Sequence, residues 1–71
     1  MVTEGERQIA NAIWASDVIH ASVREYDSVL CLRHNESPHE SHLQTVRSIA
    51  IRSADSLPAE LRVLMALKGW I

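Results

Sequence analysis

Apolar residues recur at helical spacing through the first half of the chain. Ile9, Ala12, Ser16, Ile19, Val23, Tyr26 and Leu30 follow one another at intervals of 3, 4, 3, 4, 3 and 4. That spacing keeps one side chain in every turn on a single face, as in a helix packed along another helix. A half-buried strand would alternate every second residue, and this stretch does not. Ala15, Val18, Ser22 and Val29 widen the stripe. The pattern predicts one long amphipathic helix over about 3–33. Thr3 with Glu6 has the form of a capping box, and Glu4 and Glu6 place negative charge at the positive end of the helix dipole. Gly5 weakens this first turn. Trp14 and Leu32 lie off the main stripe at a common angle, so the helix is apolar on more than one side.

The pattern breaks at His34–Pro38. Asn35 suits a helix end, Ser37 an N-cap and Pro38 a first turn, with Glu40 closing a second capping box. A second helix follows over about 38–55, striped by His39, Leu43, Val46, Ala50, Ser53 and Leu57. Because the connection is short, the long and medium helices are expected to form an antiparallel hairpin. Ile49 and Ile51 lie on opposite flanks of the stripe, and Ile51 is the harder to bury within a hairpin.

Asp55–Pro58 is the second break, because Pro58 turns Leu57 away from helical geometry. A short third helix is expected over about 58–68, with Lys68 at its negative end and Gly69 as its stop. Leu61, Val63, Leu64, Met65, Ala66 and Leu67 surround nearly its whole circumference. One hairpin cannot cover a helix that is apolar all round. Trp70 and Ile71 carry the same character onward. The expected fold is therefore all-α: one domain over 1–71, a helical hairpin plus a short C-terminal helix. It is expected to be completed as a dimeric helical bundle.

Length strengthens that expectation. A chain of 71 residues buries only roughly 60% of its unfolded surface, and association is a common remedy. There is no Phe, and the aromatic residues are Trp14, Tyr26 and Trp70. The expected interface, with a second copy or a larger protein, comprises Trp14, Ile51, Leu61, Leu64, Met65, Trp70 and Ile71. Tryptophan weighs in that choice because it is enriched among binding hot spots.

Charge and chemistry narrow the function. Seven Lys and Arg stand against nine Asp and Glu, a formal net charge of −2, and the basic residues are scattered. This disfavours a nucleic-acid footprint. A single cysteine, Cys31, excludes an internal disulfide and fits a reducing compartment. The first residues lack the basic and apolar regions of a secretory signal, and no run is long enough to span a membrane. The expected location is the cytoplasm, without membrane attachment.

His34, His39 and His42, beside Glu36 and Glu40, are metal-ligand types. Their spacing differs from the four-residue gap of helical zinc pairs, so a solvated loop and first turn is the simpler account. Asp17, His20 and Arg24 fit a polar network that fixes helix register, with no nucleophile placed for a triad. No cofactor is expected.

The function read from these features is a small non-enzymatic interaction protein: a regulator, inhibitor or adaptor that binds a larger protein. Phage and mobile-element products that neutralise host regulators are often of this size and class, which is an analogy only. The alternatives are a dimeric DNA-binding regulator, disfavoured by Pro58 at the turn between the second and third helices, and a metal-binding helical bundle.

Overall fold

The computed structural model describes residues 2–16, 22–34 and 40–71. Its regular elements are all helical: α1 (Glu4–Ala15), α2 (Val23–Arg33), α3 (Glu40–Arg52), a 3-10 turn over Ala54–Ser56, and α4 (Ala59–Leu67).

The capping box at the start of α1 is formed. The Glu6 N–H donates to Thr3 Oγ1 at 3.2 Å, and the Thr3 N–H donates to Glu6 Oε1 at 2.9 Å. Two backbone donors that a helix start leaves orphaned are thereby satisfied. A Cβ at Gly5 would lie 2.9 Å from Lys68 Cε and 3.3 Å from Leu64 Cδ1. The ends of the Lys68 and Leu64 side chains thus lie over the first turn of α1, and Lys68 Nζ donates to Thr3 Oγ1 at 2.9 Å there.

The single helix over 3–33 is not what forms. α1 ends at Ser16, whose backbone is extended (φ −97°, ψ 159°) and whose hydroxyl donates to the Ile13 carbonyl at 3.0 Å. Serine competes with helical hydrogen bonding in this way. Ser22 then N-caps a separate α2, accepting from the Glu25 N–H at 3.4 Å. The reason for the break lies in burial. An unbroken helix of that length would run roughly 46 Å at 1.5 Å per residue, whereas the molecule measures 26 × 25 × 17 Å. Folding back lets α1 and α2 cover one another, and Ile9, Ile13, Val29 and Leu32 all become fully buried. Each such side chain contributes roughly 1.5–3 kcal/mol on leaving water.

The break also resets the phase of the pattern. In α2 the inward residues are Ser28, Val29 and Leu32, while Val23 and Tyr26 of the expected seam face solvent. In α3 the expected stripe holds better: Val46 and Ala50 are buried, Leu43 packs on the core, and Ile49 joins them at 2% exposure. His39 lies outside the described residues, as do Asn35, Ser37 and Pro38 of the expected turn.

Beyond α3, Leu57 is extended (φ −92°, ψ 152°), as the following proline requires, and its side chain is buried. α4 closes on a left-handed glycine, Gly69, at φ 79°. The Trp70 N–H reaches the Met65 carbonyl at 2.8 Å and the Gly69 N–H reaches Ala66 at 3.0 Å. This is the Schellman arrangement, with an apolar residue just past the end set against the last turn. Val2, Leu57 and Met65 complete a core otherwise drawn from α1, α2 and α3. No helix among the described residues is long and apolar enough to cross a membrane.

Candidate interaction surface

Among the described residues, α4 carries two of the exposed large apolar side chains, Val63 and Leu67. Met65 is fully buried, and Leu61 and Leu64 are half-buried against the core. At about 100° per residue the opposite side of a helix falls two residues away. That side carries Glu60, Val63 and Leu67, with Ala59 and Ala66 on its flank, all exposed. Val63 is 61% exposed and Leu67 81%, values more usual for charged side chains. Glu60, seven residues before Leu67, lies on the same face and puts one charge at its N-terminal end. Ile71, at 54% exposure, continues the apolar surface beyond the Gly69 turn.

The residues expected at an interface are therefore divided. Met65 belongs to the core of a single chain, so burying it requires no second subunit. Leu61 and Leu64 have one side in the core. Trp70 is also half-buried and packs against the core, just past the Schellman turn. It lines a shallow groove of about 220 Å³ with Glu6, Glu40, Leu43, Gln44 and Arg47. Ile71 and Ile51 remain exposed, Ile51 at 41%.

Trp14 is engaged within the chain. Its ring meets Tyr26 at 4.7 Å between centroids, and the Arg33 guanidinium carbon stands 4.3 Å over it. Arg33 Nε also donates to Asn11 at 3.0 Å. Through these two α2 side chains, Trp14 ties α1 to α2. A cation over an indole adds roughly 0.5–1 kcal/mol at such a partly exposed site.

Val63, Leu67 and Val23 are exposed residues missing from the expected interface. Val63 and Leu67 stood within a helix apolar on every side, and spacing alone could not say which side faces inward. Once Met65 is known to point into the core, the outward pair follows from helical geometry. Val23, 79% exposed, and Tyr26, 42% exposed, form a smaller apolar surface at the start of α2. Near it, Glu25 meets Arg52 of α3 at 3.6 Å. Such an exposed pair contributes at most roughly 1 kcal/mol.

Of the candidate metal residues, His34, Glu40 and His42 are among the described residues, and Glu36 and His39 are not. His34 caps the end of α2 and is exposed, His42 is half-buried on α3, and His39 lies outside the described residues. Among the described residues no three histidine, cysteine or carboxylate side chains converge on a common point. Asp17 and His20 of the expected polar network also lie outside them, and Arg24 is exposed.

The positive charges are largely turned onto the molecule itself. Arg7 pairs with Glu4, Arg33 with Asn11 and Trp14, Arg62 with the Ala54 and Leu57 carbonyls, and Lys68 with Thr3. No protein family matches the sequence, and no curated protein or solved structure matches it.

Proposed function

We propose that this chain is a small non-enzymatic interaction protein that pairs with a second copy through the outward face of α4. The resulting dimeric helical bundle binds a larger protein and regulates it, as an inhibitor or adaptor. The observation that carries this reading is the exposed pair Val63 and Leu67, set opposite buried Met65 and flanked by Ala59 and Ala66. With Glu60 as the charge at its N-terminal end, that face is more apolar than the outer side of a solvated helix normally is. Alternating small and large residues, Ala59 and Ala66 beside Val63 and Leu67, let a second helix approach closely and interdigitate. A stable interface takes roughly 800 Å² from each partner, more than one short helix supplies. The neighbouring exposed residue Ile71 and the half-buried Leu64 extend the face. The single cysteine supports a cytoplasmic setting.

Molecular mass in solution tests the pairing. Light scattering over a concentration series is expected to give twice the chain mass, and Leu67→Glu is expected to give a monomer of unchanged helicity. A wild-type chain that stays monomeric throughout the micromolar range would overturn it. For the larger partner, capture from a lysate followed by mass identification is the test, with Trp70→Ala expected to reduce the yield. Equal capture by that variant would exclude Trp70 from the contact.

A further inference from the structure

We draw no further inference here: the strongest candidate, the exposed apolar face of α4 carrying Val63 and Leu67, belongs to the self-association already proposed, and nothing in the structure shows what else covers it.

Discussion

Gly69 and Thr3 show how much a single position decides. At Gly69 the backbone takes φ 79°, a region that an L side chain enters at a cost of roughly 1–2 kcal/mol. No atom lies within 4 Å of a Cβ built there, so the cost of Gly69→Ala is purely conformational. It is expected to lower stability by about 1 kcal/mol, or roughly 4–8 °C in Tm for a domain of this size. Urea titration measures it, and an unshifted midpoint would mean that the left-handed turn is not formed. Thr3→Ala removes the cap of α1 and the acceptor for Lys68 together. The expected loss is about 1 kcal/mol, typical of an N-cap threonine. Pairing it with Lys68→Met in a double-mutant cycle separates the two contributions. Both features were legible in the sequence, because a capping box and a terminal glycine are local chemistry. The contact between Lys68 and Thr3 was not, since it joins residues 65 apart.

Among the elements, α4 offers the sharpest contrast. Met65 and Leu67 are both large and apolar and only two positions apart, yet one is fully buried and the other 81% exposed. Met65→Ala is expected to cost roughly 2–5 kcal/mol, because it opens a cavity at the junction of α4 with the core. Leu67→Ala is expected to change the stability of the isolated chain by less than about 0.5 kcal/mol. Denaturant titration at concentrations low enough to keep the protein monomeric compares the two. Equal losses would mean that the inward side of α4 has been misassigned. The division between α1 and α2 has the opposite lesson. A regular apolar spacing ran unbroken across it, and no proline or glycine marked it. The available signal was Ser22 with Glu25 three residues on, a helix-start pattern embedded inside the apparent stripe.

At the scale of the molecule, the helices fold into a body with a Cα radius of gyration of 10.7 Å, close to the ~11 Å expected of a compact domain of this length. Among the described residues the largest fully buried side chains are Ile9, Ile13, Leu32, Ile49 and Met65, and a domain of this size has little stability in reserve. Association would add to it. If the chains pair, the melting temperature should rise with protein concentration, since a dimer is stabilised by mass action. Leu67→Glu should abolish that dependence while leaving the far-ultraviolet spectrum unchanged. A concentration-independent melting temperature in the wild-type chain would leave the α4 face without its proposed occupant.

What the sequence determined alone was local. Helical periodicity, the Thr3 cap, the proline-biased turn at Leu57 and the glycine stop all follow from interactions within a few residues, which the chain order contains. Tertiary structure decided where the first helix ends, which side of α4 faces inward and which side chains lie against Gly5. Those outcomes depend on which apolar surfaces can cover one another in a body this small. Spacing records that a residue is apolar and on a given side of its helix; only packing against a particular neighbour decides whether that side meets the core or the solvent.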